Sequence, residues 1–175
     1  MIRIGILGDI GSGKSYVASK FGYPVFNADY EVAKLYQQNK KIFTKLKKIF
    51  PKYFHLFPIK KEEISNVILA NKNNLNKIVK IVHAEVRKKM KLFLRKNKNR
   101  KIIILDIPLL LENKINKKKD ILVFVQSKKS EIVKRLKKRK NFNQKLLKKF
   151  KSIQYSINYK KKKSDYIIKN NFTKK

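Results

Sequence analysis

The sequence has no cysteine and no tryptophan, and its 175 residues include only five glycines, four prolines and two histidines. Without cysteine, disulfide scaffolds, thiol catalysis and cysteine-ligated zinc are excluded. The two histidines, His55 and His83, are too few for a metal site built from histidine. No apolar run approaches the roughly 18–20 residues of a membrane-spanning helix, and the first residues lack the charged-then-apolar order of a signal peptide. We therefore expect a cytoplasmic protein without a membrane partner.

Acidic residues are also scarce, since 11 Asp and Glu stand against 47 Lys and Arg and give a formal net charge of +36. Such an excess favours a polyanionic partner, because clustered basic side chains neutralise phosphates. However, only six of the basic residues are arginine, while Asn (16) and Ile (22) are abundant and Gly and Ala number five each. Lys, Asn and Ile share A/T-rich codons, so biased base composition explains this profile. We expect no specific nucleic-acid partner, and a basic RNA-binding protein is the alternative.

The apolar residues, 42% of the chain, are enough for one folded domain. Short apolar runs rich in β-branched residues alternate with helical patterns, which favours an α/β fold with a parallel sheet and helices on both faces. Strands are predicted at residues 2–7, 24–28, 101–107, 120–126 and 165–168. Helices are predicted at residues 14–21, 30–48, 62–70, 75–95, 130–140 and 144–159.

A glycine-rich segment lies between the first predicted strand and the first predicted helix. Residues 8–15, GDIGSGKS, satisfy the pattern G-x-x-x-x-G-K-[ST] at every required position. The glycines allow the backbone to turn consecutive N–H groups towards a phosphate, and the helix start adds further N–H groups. The lysine of this pattern reaches the β- and γ-phosphates, and the next hydroxyl ligates Mg²⁺. The predicted cofactor-binding residues are Gly8, Gly11, Ser12, Gly13, Lys14, Ser15 and Tyr16.

Two carboxylates are predicted at the carboxyl ends of strands, where ligands bind in open α/β sheets. Asp29 ends the second predicted strand, and Asp106 lies near the end of the third. We expect Asp29 to act as general base on a substrate hydroxyl or to contact Mg²⁺. Asp106 would hold the water shell of the metal that Ser15 ligates. The structural alternative for Asp29 is a helix N-cap, because a predicted helix follows it.

Two further features concern basic side chains. Arg135 and Arg139 are four residues apart in the segment KRLKKR and are predicted to share one helical face. Guanidinium groups suit a transferring phosphoryl group, and a solvated basic helix is the alternative. His83 lies on an otherwise apolar face of a predicted helix, so it either packs in the core or contacts a ligand.

Taken in order along the chain, these segments resemble the dephospho-coenzyme A kinase family of P-loop enzymes. IGILGDIGSGKSYVASKFG is similar to the family's nucleotide loop, FNADYEVAKLY to its Asp-Ala-Asp segment and VHAEV to its His-Pro segment. DIPLLLE resembles the Pro-Leu-Leu-x-Glu element, KRLKKR the paired lid arginines, and Gln154 with SDYIIKNN the closing pattern. Asn27 stands where the family usually has the first Asp of its pair, and Ala84 replaces the proline after His83.

The resemblance implies the three-layer P-loop kinase fold, with a five-stranded parallel core, a helical substrate-binding insertion and a small lid. The core would comprise residues 1–29, 100–127 and 160–171, the insertion residues 30–99 and the lid residues 128–150. The implied reaction is ATP-dependent phosphorylation of the ribose 3′-hydroxyl of dephospho-coenzyme A, giving coenzyme A and ADP. ATP and Mg²⁺ would be the cofactors. A P-loop kinase acting on a nucleoside or another small molecule is the alternative.

The resemblance also implies roles for single residues. Four residues would be catalytic: Asp29, Lys14, Arg135 and Arg139. Four residues would contact the substrate: Asp29, His83, Pro108 and Leu109. Asn170 would lie near the adenine of ATP. We expect a monomer whose partner is a small-molecule substrate.

Overall fold

The computed structural model describes residues 1–140 and 142–173. They form two compact units. The first unit comprises Met1–Asn27 and the described parts of Lys96–Phe142 and Ile153–Lys175. The second unit comprises Ala28–Arg95 and Asn143–Ser152.

The first unit is built on a sheet in which the described strands all run parallel. Its five strands are β1 (Ile2–Gly8), β2 (Val25–Asn27), β3 (Ile102–Asp106), β4 (Ile121–Gln126) and β5 (Tyr166–Lys169). Their order across the sheet is β2-β3-β1-β4-β5. The central strand β1 pairs with β3 from Ile2 opposite Ile102, and with β4 up to Gly8 opposite Val125. The loop that leaves β1 therefore starts between the carboxyl ends of β3 and β4.

The described part of the chain contains eight helices. Three belong to the first unit: α1 (Lys14–Lys20), α6 (Lys129–Lys137) and α8 (Ile157–Lys162). The others are α2 (Ala28–Gln38), α3 (Lys40–Ile49), α4 (Lys61–Ala70), α5 (Asn74–Lys96) and α7 (Gln144–Ser152), which belong to the second unit except for Lys96 at the end of α5. Among the described residues, none of the helices combines the length and apolarity needed to cross a membrane.

The near-continuous apolar runs of the inner strands are typical of parallel strands that are buried on both faces. On one face, seven residues of α1 and of three strands form a buried cluster: Ile4, Ile6, Val17, Ala18, Ile104, Val123 and Val125. The opposite face of β1 carries Gly5, where an added Cβ would lie 2.9 Å from a methyl of Leu122 and closer still to Leu110. The small residue in the central strand thus allows Leu110 to pack directly on the sheet.

Two of the few acidic residues neutralise buried basic side chains in the first unit. Asp120 pairs with Arg3 at 2.9 Å, and Glu112 pairs with Lys160 at 2.9 Å. Glu112 also accepts a hydrogen bond from the backbone N–H of Tyr155 at 2.8 Å. Because removal of one partner leaves a buried charge uncompensated, breaking such a pair costs about 3–5 kcal/mol. These contacts hold the segment after β3 and helix α8 in place.

The second unit is helical and has its own apolar core, which includes the fully buried Leu46, Phe54 and Val67. The loop after α3 folds back onto α2, where the Ile59 N–H donates to the Tyr36 carbonyl at 3.1 Å. In the same unit, the buried Asn74 side chain donates to the Val67 carbonyl at 2.8 Å and joins α5 to α4.

The predicted parallel α/β fold with five strands is confirmed, but two predicted helices are each divided in the structure. The helix predicted at 30–48 is interrupted at Asn39, whose backbone leaves the helical region and whose Oδ1 accepts from the Ile42 N–H at 3.0 Å. The helix predicted at 144–159 ends at Ser152, and Ser156 caps α8 by accepting from the Tyr159 N–H. Both capping side chains offer the backbone an alternative to a continuous helix.

Candidate active site

The loop between β1 and α1 adopts backbone angles that residues other than glycine rarely take. The φ angle is 150° at Gly8 and 88° at both Gly11 and Gly13. A Cβ at Gly8 would lie 2.7 Å from Ser12 Oγ and 2.8 Å from the carbonyl oxygen of Val125. The glycines of the sequence motif are therefore required by the observed backbone, which forms a compact turn directly before a helix.

Helix α1 begins immediately after Gly13, as the motif predicts. Its first internal bond runs from the Val17 N–H to the Gly13 carbonyl at 3.0 Å. The N–H groups of Ser15 and Tyr16 precede this bond, and a helix start provides no carbonyl of the same helix for them. The Lys14 ammonium donates to the Asp9 carbonyl at 2.7 Å and to the Gly8 carbonyl at 3.3 Å. A cation and helix-start N–H groups are thus located on one short loop, an arrangement that binds anions.

Ser12 provides an independent sign that the loop fits a phosphate. Its side chain is fully buried, and its Oγ has no hydrogen-bond partner among the described residues. A buried hydroxyl without a partner costs about 1–3 kcal/mol. Since this hydroxyl lies inside a glycine-rich loop beside Lys14, a phosphate oxygen would satisfy it. The residues therefore fit the polyphosphate of ATP.

Asp106 is the last residue of β3 and is only 3% exposed. Asn27 donates from Nδ2 to Asp106 Oδ2 at 2.7 Å, and the Ser15 hydroxyl also hydrogen-bonds the carboxyl group. Burial raises the pKa of Asp106, against the opposing effects of the Ser15 hydrogen bond and the positive charge of Lys14. The expected neighbours Ser15 and Asp106 are therefore in contact.

This pair of oxygen ligands fits a magnesium ion. Mg²⁺ is usually held by one or two protein oxygens and completes its shell with water and substrate phosphates. Ser15 and Asp106 supply a hydroxyl and a carboxylate next to the phosphate-binding loop. The described residues contain no group of three or more His, Cys, Asp or Glu side chains that could hold a metal, and a magnesium site of this kind does not require one.

Helix α6, which carries Arg135, packs on the same loop. A Cβ at Gly11 would lie 3.0 Å from Leu136 and 3.2 Å from Ile132, so α6 approaches the loop backbone closely. The Arg135 guanidinium lies 4.2 Å from the ring centroid of Phe172. Helix α6 ends at Lys137, and the prediction that the two arginines share a helical face is therefore wrong, because Arg139 lies in the turn beyond the helix.

Asp29 and His83 lie in the second unit. The prediction that Asp29 ends a strand is wrong: β2 ends at Asn27, and Asp29 is an exposed residue in the first turn of α2. A carboxylate is favourable there because it faces the positive end of the helix dipole. His83 is half-buried on α5, between the buried Val82 and Val86 along the sequence.

The structure brings together most of the residues predicted for nucleotide and metal binding: Gly8, Gly11, Ser12, Gly13, Lys14, Ser15, Asp106, Arg135 and Asn170. Pro108 and Leu109 follow β3 in a half-buried turn, and Tyr16 is exposed on α1. Sequence reasoning missed the contacts of Ser127 and Phe172 with this region. A signal for Ser127 was available, because it directly follows the predicted strand 120–126, at the sheet edge that binds ligands.

A parallel sheet of order β2-β3-β1-β4-β5, with a phosphate-binding loop after its central strand, defines the class of P-loop kinases. A family model described as dephospho-CoA kinase matches residues 2–175. The chain belongs to the dephospho-CoA kinase family. The resemblance and the fold class expected from the sequence are thereby confirmed.

Two curated relatives named dephospho-CoA kinase come from Wolbachia. The protein of Wolbachia sp. subsp. Brugia malayi is 33% identical and that of Wolbachia pipientis wMel 36% identical, each over 129 residues. The matched region covers 71% of this chain and spans 66% of the length of each relative.

Two solved structures share the fold. The crystal structure of TT1252 from Thermus thermophilus aligns with a TM-score of 0.74 and 27% identity over 97% of this chain and 88% of that one. Dephospho-CoA kinase from Campylobacter jejuni aligns with a TM-score of 0.61 and 23% identity, with the same coverage of 97% and 88%.

Proposed function

We propose that this protein transfers the γ-phosphoryl group of ATP to the ribose 3′-hydroxyl of dephospho-coenzyme A, giving coenzyme A and ADP. The observation that carries the proposal is the loop of residues 8–15, in which Lys14, a buried hydroxyl and a helix start lie together, in a chain of the dephospho-CoA kinase family. The names of the curated relatives support the choice of acceptor.

The loop would hold the triphosphate through charge and hydrogen bonds. Lys14 would exchange the carbonyls of Gly8 and Asp9 for oxygens of the β- and γ-phosphates, and Ser12 Oγ would donate its hydrogen to the same anion. Hydrogen bonds to charged groups contribute about 1.5–3 kcal/mol each. Since the charge of the phosphates changes during transfer, these contacts stabilise the transition state as well as the bound nucleotide.

Ser15 and Asp106 would hold Mg²⁺ beside the phosphates. Held there, it would supply positive charge against the negative charge that develops on the phosphates during transfer. Asn27 keeps the Asp106 carboxyl in place through its 2.7 Å hydrogen bond. Metal binding requires the deprotonated carboxylate, and the raised pKa of Asp106 therefore makes binding weaken as the pH falls through that pKa.

The acceptor hydroxyl needs a group that takes its proton. We propose that Asp29 is this general base: the ribose oxygen bonds to the γ-phosphorus, the bond to the bridging oxygen of ADP breaks, and the hydroxyl proton passes to Asp29. Arg135 is the stronger candidate for the lid arginine, because its contact with Phe172 and the packing of α6 place it beside the loop.

The remaining roles belong to the same proposal. His83, Pro108 and Leu109 would contact dephospho-coenzyme A, with residues 30–99 acting as the substrate-binding insertion and residues 128–150 as the lid. We propose that the protein acts as a monomer and has no specific nucleic-acid partner.

The test is an acceptor panel with the purified protein, ATP and Mg²⁺. Consumption of ATP is measured with dephospho-coenzyme A, AMP and pantetheine phosphate, and the position of the new phosphate is determined on the product. We expect turnover with dephospho-coenzyme A and a 3′-phosphorylated product. Preferred turnover of another acceptor would assign the site to a different P-loop kinase activity.

A further inference from the structure

The Ser12 carbonyl, in the middle of the phosphate-binding loop, accepts hydrogen bonds from two side chains outside the loop. Ser127 Oγ and Asn170 Nδ2 each donate to this oxygen at 2.9 Å. Ser127 directly follows β4, and Asn170 directly follows β5. A carbonyl oxygen has two lone pairs, so this acceptor is satisfied by donors from the ends of two neighbouring strands.

Asn170 is itself held on both sides. Its backbone N–H donates to the Gln126 carbonyl at 2.8 Å, which fixes it to β4. Its Oδ1 accepts from the Phe172 N–H at 3.1 Å, an interaction that asparagine side chains commonly make with the residue two positions ahead. The side-chain amide therefore connects the end of the sheet to the loop, with both its donor and its acceptor end engaged.

The contact with the loop is a close one. A Cβ added at Gly13 would collide with Asn170 Nδ2 and would lie 3.2 Å from Cε1 of Phe172. The glycine at this position thus allows Asn170 to reach the Ser12 carbonyl. Side chains of the Asn170 segment and the loop backbone fit together without space for one additional carbon.

We propose that Ser127 and Asn170 are positioning residues that fix the orientation of the Ser12–Gly13 peptide. In a planar trans peptide, the C=O and the following N–H point in opposite directions. Holding the Ser12 carbonyl towards Ser127 and Asn170 therefore turns the Gly13 N–H away from them, and this N–H would then be free to donate to a polyphosphate in the loop. The two residues act on ATP through the loop.

This inference rests on the proposed function only in requiring that the loop binds a polyphosphate. It differs from the role that the family resemblance implies for Asn170, which is proximity to the adenine. The two roles can be separated with a ligand that has no adenine. Inorganic tripolyphosphate is such a probe, because it contains the phosphate chain of ATP without the nucleoside.

The proposal is tested with the variants Ser127→Ala, Asn170→Ala and Ser127→Thr. Their affinities for ATP and for tripolyphosphate are measured by calorimetry, with Mg²⁺ and without acceptor. A neutral hydrogen bond contributes about 0.5–1.5 kcal/mol. Each alanine substitution is therefore expected to lower the affinity for both ligands by the same factor, about 2–13-fold. Ser127→Thr keeps the hydroxyl and should restore binding to within about twofold. Ser164→Ala is the matched control, because Ser164 Oγ donates to the Lys160 carbonyl at 2.8 Å, away from the loop.

Unchanged tripolyphosphate affinity in both alanine variants would overturn the proposal. Loss of ATP affinity alone in Asn170→Ala would assign that residue to the adenine instead. If Asn170→Ala does not fold, the two Ser127 variants still test the proposal, because Ser127→Ala should weaken the binding of tripolyphosphate and Ser127→Thr should not. The acceptor panel on the unaltered protein is independent: its failure, with the binding changes observed, would reject dephospho-coenzyme A while the positioning role stands. Absence of any polyphosphate binding by the unaltered protein would reject both.

Discussion

Glycine at position 13 avoids two costs, a left-handed backbone conformation and a collision with Asn170, and substitution by alanine would introduce both. At φ 88° an alanine would adopt the left-handed conformation, which destabilises the folded state by about 1–2 kcal/mol. Its Cβ would also collide with Asn170 Nδ2 and approach Phe172 to 3.2 Å. Displacing Asn170 leaves the Ser12 carbonyl with one donor fewer and costs a further 1–3 kcal/mol or so. Alanine also restricts the unfolded chain, which offsets about 0.4–1 kcal/mol, so we expect Gly13→Ala to lower the free energy of unfolding by about 1–4.5 kcal/mol in total.

Gly22 offers a control with the same backbone cost and no collision. Its φ is 71°, and a Cβ there would meet no atom within 4 Å. Alanine also restricts the unfolded chain, which offsets about 0.4–1 kcal/mol of the left-handed cost. Gly22→Ala should therefore lower the free energy of unfolding by only about 0–1.5 kcal/mol and leave nucleotide binding unchanged.

The assay is urea unfolding of both variants, followed by calorimetric titration with tripolyphosphate. We expect Gly13→Ala to be the less stable variant and to bind tripolyphosphate at least about twofold more weakly than Gly22→Ala, because loss of the Asn170 hydrogen bond alone weakens binding about 2–13-fold. Equal stability and equal affinity of the two variants would show that the close packing of Asn170 on the loop has no energetic consequence, contrary to this prediction.

Three further substitutions and one binding measurement test the loop, the proposed base, the metal ligand and the role of the positive charge. Lys14→Ala should leave the fold intact and lower turnover about 10²–10³-fold, measured by coupled assay, and near-normal turnover would contradict the role of the loop. Asp29→Asn should keep ATP affinity and lose about 10²–10⁴-fold in turnover, whereas loss of ATP binding would make Asp29 a nucleotide or metal contact. The pKa of Asp106 is raised by burial, so its ionisation opposes folding at neutral pH, and Asp106→Asn should raise Tm at pH 7 while abolishing Mg²⁺-dependent turnover; a lower Tm would contradict this sign. RNA binding should weaken to about 10⁻⁴–10⁻⁶ M at physiological salt while kinase turnover persists, and tight, sequence-selective RNA binding there would favour the RNA-binding alternative.

The sequence predicts the loop of residues 8–15 well, because the residues that define the motif are neighbours along the chain. The glycines, the lysine and the helix start follow one another along the chain, and the preceding apolar run identifies the strand that orients them. That Ser15 and Asp106 lie near each other is also predicted from the sequence, since Ser15 lies in the segment after β1, Asp106 ends β3, and the carboxyl ends of these parallel strands meet at one sheet edge.

Other features depend on interactions that the sequence pattern does not specify. The break at Asn39 is invisible to helical periodicity, because apolar spacing continues on both sides and only the capping hydrogen bond to Ile42 decides it. The sequence pattern likewise does not show that α6 ends before Arg139, since the run of basic residues continues beyond Lys137. The two donors on the Ser12 carbonyl depend on the pairing of β4 with β5, a contact between distant parts of the chain.

Transfer of the γ-phosphoryl group to the 3′-hydroxyl of dephospho-coenzyme A is measured by following the labelled γ-phosphate of ATP. The purified protein is incubated with Mg²⁺, γ-labelled ATP and dephospho-coenzyme A, in parallel with Lys14→Ala, and the labelled product is identified. We expect the label on the ribose 3′-oxygen of coenzyme A with the unaltered protein, and about 10²–10³-fold less labelled product with Lys14→Ala. Label released only as inorganic phosphate, or transferred equally by both proteins, would contradict this expectation.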